Sequence, residues 1–301
     1  MAVIATGFFD GVHLGHRLVI DTLLSEAARR GEQSVVVSFW PHPRAVLQSG
    51  ADELRYLSSR EEKADILKSL GVNRVETVTF SREFAAWQAG EYLRFLKAEF
   101  GCTSLVLGYD TRFGAEQSCP DRIAEIASGM GIESVITPPV ELDGTVISSS
   151  RIRRALAGGD AACAAKLLGR PYRLHGVVVT GDKIGRTIGF PTANMKLYEP
   201  LMLIPRPGVY HTAVHVLGAT FAGMTNIGTR PTVNSGNTLT IETHILGFDE
   251  MIYGLDITVD FIDRIRDERR FGSLNELRNQ LQKDAEAIKL SAAPAFGVAE
   301  A

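Results

Sequence analysis

The rhythm of apolar and polar positions changes partway along the chain. Up to about Ile136, short β-rich runs (Val35–Phe39, Val75–Phe80, Ser104–Leu107) alternate with longer amphipathic stretches. That alternation predicts a parallel sheet flanked by helices, an α/β arrangement. Between Arg151 and Leu168 the pattern is helical and Ala-rich, with Gly158-Gly159-Asp160 placed to end one helix and start the next. After Pro171 the texture is different. Leu174–Thr180, Gly208–Val216, Phe221–Ile227, Leu239–Ile245 and Ile257–Phe261 are short β-rich runs broken by Gly, Pro and Asn, which predicts an antiparallel sandwich or barrel. Leu274, Leu277, Leu281 and Ile288 recur at helical spacing and predict a closing helix over 274–290. The expected organisation is a first domain at 1–157, a helical linker at 158–170, a β-rich domain at 171–290 and a frayed, disordered tail at 291–301.

A length of 301 residues fits two cores better than one. With 45% hydrophobic and 22% charged residues the composition is globular, and no apolar run approaches the roughly 18 residues that span a bilayer. The start of the chain lacks the basic and long apolar regions of a secretory signal, so a cytoplasmic, membrane-free protein is expected. Cys102, Cys119 and Cys163 are odd in number and show no CxxC spacing, which suggests neither a disulfide framework nor a zinc site. A net charge of -3 argues against a general nucleic-acid binder and leaves small anionic ligands as the better fit. Nothing in the sequence fixes an oligomeric state.

Candidate chemistry begins at Gly7-Phe8-Phe9-Asp10-Gly11-Val12-His13-Leu14-Gly15-His16, which follows a strand-like run and precedes a helical pattern over 18–28. A strand, a Gly-rich turn and a helix N-terminus make an anion site, because unpaired backbone N–H groups and the helix dipole converge there. Spaced by three, His13 and His16 are expected on one face of the first helical turn, each donating to phosphate oxygens and stabilising charge on a pyrophosphate leaving group. Capping, or half of a metal site, is the plainer alternative for the pair.

These residues resemble the HxGH signature of the nucleotidylyltransferases, and their flanks resemble the bacterial FAD synthetase version. The resemblance implies a Rossmann-like domain with Gly7, Phe8, Asp10, Gly11 and Gly15 at the nucleotide. Further segments match in order. Ser38-Phe39-Trp40-Pro41-His42-Pro43 corresponds to a Phe-Asp-Pro-His-Pro segment with Trp40 in place of the Asp. Leu107-Gly108-Tyr109-Asp110-Thr111-Arg112-Phe113-Gly114 resembles a loop near nucleotide and flavin, which nominates Asp110 and Phe113 and departs at Thr111. Ile147-Ser148-Ser149-Ser150-Arg151-Ile152-Arg153 resembles the motif that closes over the triphosphate. Ser148, Ser149 and Ser150 would serve as ordinary caps in any protein. Arg153, at the positive end of a helix dipole, is electrostatically wasteful unless an anion binds. The implied reaction is direct attack of the FMN phosphate on the α-phosphorus of ATP, without a covalent intermediate.

The second half carries Gly181-Asp182-Lys183-Ile184-Gly185-Arg186-Thr187-Ile188-Gly189-Phe190-Pro191-Thr192-Ala193-Asn194. Its glycines allow a loop to fold over phosphates, Thr192 and Asn194 offer oxygen ligands to a hard cation, and the absence of Gly-Lys-Ser/Thr rules out a Walker A loop. The stretch resembles the riboflavin kinase signature in full, which implies a β-barrel with Gly181, Lys183, Gly185, Arg186, Thr192 and Asn194 at the nucleotide and Thr192 and Asn194 on Mg²⁺. Thr225–Val233, with Asn226 and Arg230, resembles a flexible flap beside the flavin. Glu242 and His244 share a strand face, and the resemblance makes Glu242 the general base for the riboflavin 5′-hydroxyl. Arg266, Arg269 and Phe271 resemble a segment bordering the isoalloxazine; a solvated charged face is the ordinary alternative. Together the halves imply a bifunctional riboflavin kinase and FAD synthetase acting on riboflavin, FMN and ATP with Mg²⁺ and no tightly bound organic cofactor. The alternatives are a monofunctional nucleotidylyltransferase with a flavin-binding regulatory domain, and an inactive flavin-binding protein.

Overall fold

The structure is a computed structural model that describes residues 1–47, 54–181, 184–232 and 236–292; side chains at 184, 230–232, 236–238 and 291–292 are outside the description. The chain divides into two compact units, Met1–Ser149 and Ser150–Ala301.

The first unit runs β1 (Ala2–Thr6), α1 (Leu14–Arg30), β2 (Gln33–Trp40), α2 (Pro43–Leu47), α3 (Arg60–Ser69), β3 (Arg74–Thr79), α4 (Arg82–Ala85), α5 (Ala89–Phe100), β4 (Cys102–Gly108), α6 (Pro120–Ser128) and β5 (Glu133–Thr137), then a small hairpin of β6 (Glu141–Leu142) and β7 (Thr145–Val146). The five main strands are parallel in the order β3-β2-β1-β4-β5. Period-two alternation divides the core. Val3 and Ala5 of β1 face Val19, Ile20, Leu23 and Leu67 on one side, while Ala2 and Ile4 face Tyr92, Leu93, Leu96 and Ile123 on the other. With both faces covered, these strands read as continuous apolar runs. The strand order reverses between β1 and β4, so the loops leaving their C-terminal ends frame a crevice at the topological switch point.

α7 (Ser149–Gly158) starts at the last residue of the first unit and runs into the second, where α8 (Ala161–Leu168) follows, capped by Asp160, which accepts from the Cys163 N–H at 2.8 Å. The stretch expected as a helical linker contains α8, whose Ala161, Ala164 and Leu167 face is buried against β8 (Tyr172–Val179) and β13 (Asp256–Arg266). After β8 come α9 (Ile184–Thr187), β9 (Ala193–Leu197), β10 (Gly208–Val216), β11 (Ala219–Thr232), β12 (Gly236–Ile245), β13 and α10 (Leu274–Ala292). Six strands close a barrel in the order β10-β11-β12-β9-β8-β13, which settles barrel over sandwich. Inside, Thr212, Thr225 and Thr243 link hydroxyl to hydroxyl at 2.9 Å, a satisfied buried chain. Outside, Val209, Met224, Leu281 and Ile288 pack α10 onto the barrel.

The segment that resembles a flexible flap pairs in the ladder as far as it is described, with Asn226 opposite Glu242 and Thr232 opposite Gly236. One expectation changes here. Ser291 and Ala292 continue α10 and are not tail; 293–301 lie outside the described residues.

Candidate functional site: a nucleotide crevice and paired barrel cavities

At the crevice of the first unit the loop after β1 is tightly constrained. Phe9, Gly11 and Val12 have φ of 51°, 79° and 39°. Left-handed geometry is costly for Phe and more so for β-branched Val, so the surroundings must hold it. They do: Asp10 accepts from the Leu57 and Ser58 N–H groups at 3.0 and 3.2 Å, Ser58 Oγ accepts from the Gly11 N–H at 3.0 Å, and Ser149 Oγ donates to the Asp10 carbonyl at 3.0 Å. The Gly7 N–H donates to Val37 O at 3.1 Å. Asp10, Gly11, Ser149 and Gly7, all expected at the nucleotide, thus use these polar groups to shape the loop.

At the helix start the capping alternative holds for His13, which lies just outside the first turn. α1 begins at Leu14 with His13 as its N-cap, the His13 Nδ1 accepting from the His16 N–H at 3.2 Å. His13 sits outside the first turn because its ring replaces the missing carbonyl partner there. A neutral His13 then carries its proton on Nε2. The His13 and His16 rings stack with centroids 3.6 Å apart and planes 15° from parallel. A side chain at Gly15 would come within 3.1 Å of the His13 ring. Burial, then the His13 ring and the Lys63 ammonium, hold His16 well below the usual histidine range, so it is neutral near pH 7. Its Nδ1 is buried with no hydrogen-bond partner among the described residues, the kind of orphan that a ligand satisfies.

Other expected residues have these places. Phe8 borders the loop beneath Trp40 and His42, its centroid 4.2 Å from the His42 ring. Asp110 is exposed in the loop after β4, on the other side of the switch point. Phe113 packs edge-on to Tyr92 at 5.1 Å, so its ring is partly built into the core. Ser148 and Arg153 are half-buried and Ser150 is exposed; Ser150 and Arg153 belong to the second unit.

The barrel carries two cavities, of about 310 and 360 Å³, that share Thr192. Gly181, Arg186, Thr192 and Asn194 line the first, joined by Met251 and Tyr253 from the β12–β13 connection. Glu242, Asn226, Arg266 and Phe271 line the second, under α10, and Gly185 is on this side. Apart from Gly185, the described candidates for nucleotide and flavin fall on two sides of Thr192. Lys183 lies outside the described residues, as does the Arg230 side chain. A Cβ on Gly181 would overlap the Asn194 side chain at 2.2 Å, and one on Gly185 would overlap the Phe190 carbonyl at 2.2 Å. Neither glycine is needed for φ; both are needed for close approach. Arg266 is held by Asp284 of α10 at 2.8 Å, and Arg269 lies 4.6 Å over the Phe271 ring.

Sequence reading assigned no role to three lining or supporting residues. His244 donates from Nδ1 to Pro191 O at 2.8 Å, tying β12 to the signature loop, and burial lowers its pKa. Glu268 lines the flavin-side cavity. Lys63 is buried beside the histidine pair.

With this geometry in place, the comparisons with known proteins are direct. A family model described as FAD synthetase matches residues 1–151 and one described as riboflavin kinase matches 168–291. A bifunctional riboflavin kinase/FMN adenylyltransferase of Listeria monocytogenes is 38% identical over 284 residues, 94% of this chain and 90% of the relative. This chain belongs to the bifunctional riboflavin kinase/FMN adenylyltransferase family. Its riboflavin kinase and FAD synthetase activities follow from that membership, in the domain order seen here. The family member of Bacillus subtilis is 36% identical over 296 residues, 96% of this chain and 92% of the relative. A crystal structure described as a macrolide-efflux protein from Streptococcus pneumoniae superposes with a TM-score of 0.90 at 32% identity, covering 96% of this chain and 93% of that one. Among the described residues no helix is long and apolar enough to cross a membrane.

Proposed function

We propose that the family's two reactions are divided between the switch-point crevice and the paired barrel cavities, with named residues in each. At the barrel, Glu242 accepts the riboflavin 5′-hydroxyl proton as that oxygen attacks the γ-phosphorus of ATP, and ADP leaves. Thr192 and Asn194 hold Mg²⁺ together with the nucleotide phosphates. The donor set fits that ion: a hydroxyl and an amide oxygen suit a hard cation. The bound ion supplies charge neutralisation on the phosphates. Asn226, Arg266 and Phe271 border the flavin, and Gly181, Gly185 and Arg186 the nucleotide.

At the crevice, the FMN phosphate attacks the α-phosphorus of ATP and pyrophosphate departs. His13, through its Nε2 N–H, and His16 donate to the phosphate oxygens where charge builds, and Asp110 and Phe113 border the substrates. Arg153, in the second unit, carries its triphosphate role on the motif resemblance alone. The products serve the cytoplasm.

The observation that supports this most strongly is that Gly181, Arg186 and Asn194 line one barrel cavity while Asn226, Glu242, Arg266 and Phe271 line the other, with Thr192 in both. The test is chromatography of products from riboflavin, ATP and Mg²⁺ for wild type, Glu242→Gln and His16→Ala. The expected results are FMN and FAD, neither product, and FMN alone; Glu242→Gln making FMN at the wild-type rate overturns the barrel assignment.

A further inference from the structure

The N-terminal crevice contains a cation that no motif names. Lys63 of α3 is 2% exposed and shares the inner face of the helix with Leu67. Its Nζ donates to the Phe8 carbonyl at 2.8 Å, an oxygen that also accepts from Ser38 Oγ at 3.3 Å. The ammonium lies 4.0 Å from the Phe8 ring centroid and 5.9 Å from that of Trp40, within cation–π reach of both. The Phe8 carbonyl immediately precedes the left-handed Phe9, so Lys63 grips the loop at the entrance to its costliest stretch.

Charged and titratable neighbours are few. Asp10 from the same loop and His16 from α1 both act on Lys63 or feel it electrostatically. β2 contributes the Trp40 ring, and His42 and Tyr56 pack on the Phe8 ring from the segment beyond. Asp10 spends its carboxylate on two backbone N–H groups. A positive charge buried this deeply is expensive, and an apolar residue of the same length would fill the space and pack on Leu67. What an apolar residue cannot do is hold the Phe8 carbonyl or set a fixed charge beside His16.

Resting on the placement of adenylyl transfer at His13 and His16, we propose that Lys63 is a positioning residue for that reaction. Its ammonium holds the Gly7–Val12 loop in register and keeps a positive charge beside His16, where the pyrophosphate leaves.

The test is the pH dependence of FAD formation from FMN and ATP by the full chain, with riboflavin phosphorylation by the same sample as reference. Burial, opposed by Asp10, lowers Lys63 to about 8. Wild-type kcat/KM for ATP in FAD formation, which reports the free enzyme, is expected to fall through an alkaline limb near that pH, with no such limb in the kinase reaction. Lys63→Met is expected to lose roughly 100-fold in kcat at pH 7, the scale of one lost donor in a charge-stabilising site, to keep its KM for FMN within about threefold, and to show no limb. Ser38→Ala removes the uncharged donor to the same carbonyl and should keep the limb. A wild type without the limb, or Lys63→Met with the wild-type rate or limb, overturns the proposal. If Lys63→Met does not fold, the wild-type and Ser38→Ala profiles decide. His16→Ala separates the two levels: FAD formation at the wild-type rate in that variant removes the underlying assignment as well.

Discussion

Glu242 of β12 and Asn194 of β9 face each other across one rung of the barrel ladder, and Asn226 of β11 continues the same rung on the other side of Glu242. Directly opposed residues in antiparallel strands project to the same face. One row therefore carries the proposed base between a cation ligand and a flavin contact. Glu242→Gln keeps the shape and removes the base. Riboflavin phosphorylation should fall by about 10²- to 10⁴-fold in kcat, while FAD formation from supplied FMN stays at the wild-type rate; product chromatography reads both.

Gly181 gives Asn194 its room, since a methyl group there would meet the Asn194 amide nitrogen at 2.2 Å. Gly181→Ala should displace that amide and raise the half-saturating Mg²⁺–ATP concentration roughly tenfold, about 1.4 kcal/mol. The KM for riboflavin should stay within a factor of about two. Steady-state kinetics with each substrate varied in turn checks this.

His13 has two duties that substitution can separate. His13→Ala loses the cap and the ring donor, and should lower the melting temperature of the first unit by about 2–4 °C as well as its activity. His13→Asn restores a capping acceptor and should melt near wild type, yet still lose roughly 100-fold in FAD formation. Calorimetry beside the FMN assay distinguishes them.

Arg266 and Asp284 join β13 to α10, with Asp284 buried. Asp284→Asn leaves the guanidinium without its counter-charge and should destabilise the barrel unit by about 3 kcal/mol. The KM for riboflavin should rise as α10 loosens over the flavin-side cavity. Urea unfolding followed by far-UV circular dichroism, with riboflavin titration, measures the pair of effects.

Lys63 makes stability depend on pH in a direction that can be stated. Its pKa is about 8 when folded against 10.5 for the ordinary group. Between those values the unfolded chain binds more protons, so the unfolding free energy rises with pH, by about 3 kcal/mol when complete, and the penalty is fully present below pH 8. The chain has two tryptophans, Trp40 and Trp87, both in the first unit, so their fluorescence follows that unit alone. Denaturant titrations from pH 7 to 10.5 should show the rise, and Lys63→Met should abolish it.

Much of this was legible in the sequence, for physical reasons. β-branched runs such as Val35–Val37 announce buried parallel strands, and the helix break at Gly158-Gly159-Asp160 is a stop followed by a cap. The barrel strands announced themselves through alternation, as at Thr240–Ile245. What was hidden is instructive. β9 is short and coincides with the kinase signature, where ligand chemistry drew attention away from its pairing with β8 and β12. His13 was placed inside the helix because histidine is not a common capping residue. Asp10 looked like a ligand because a carboxylate in a Gly-rich turn can serve either substrate or backbone, and only the positions of the Leu57 and Ser58 amides decide. Lys63 sat in Arg60-Glu61-Glu62-Lys63, which reads as a solvated face. The available signal was the spacing of Lys63, Ile66, Leu67 and Leu70 at i, i+3, i+4 and i+7, a charge within an apolar stripe.

Among the described residues Thr192 is the one shared by these two barrel cavities, and that has a bearing on order of addition. With separate linings, neither substrate needs the other in place before it can dock, so either can arrive first. Double-reciprocal plots for the kinase should then intersect to the left of the ordinate. ADP should inhibit competitively against ATP and FMN competitively against riboflavin, a pair of patterns that an obligatory order of addition does not give together.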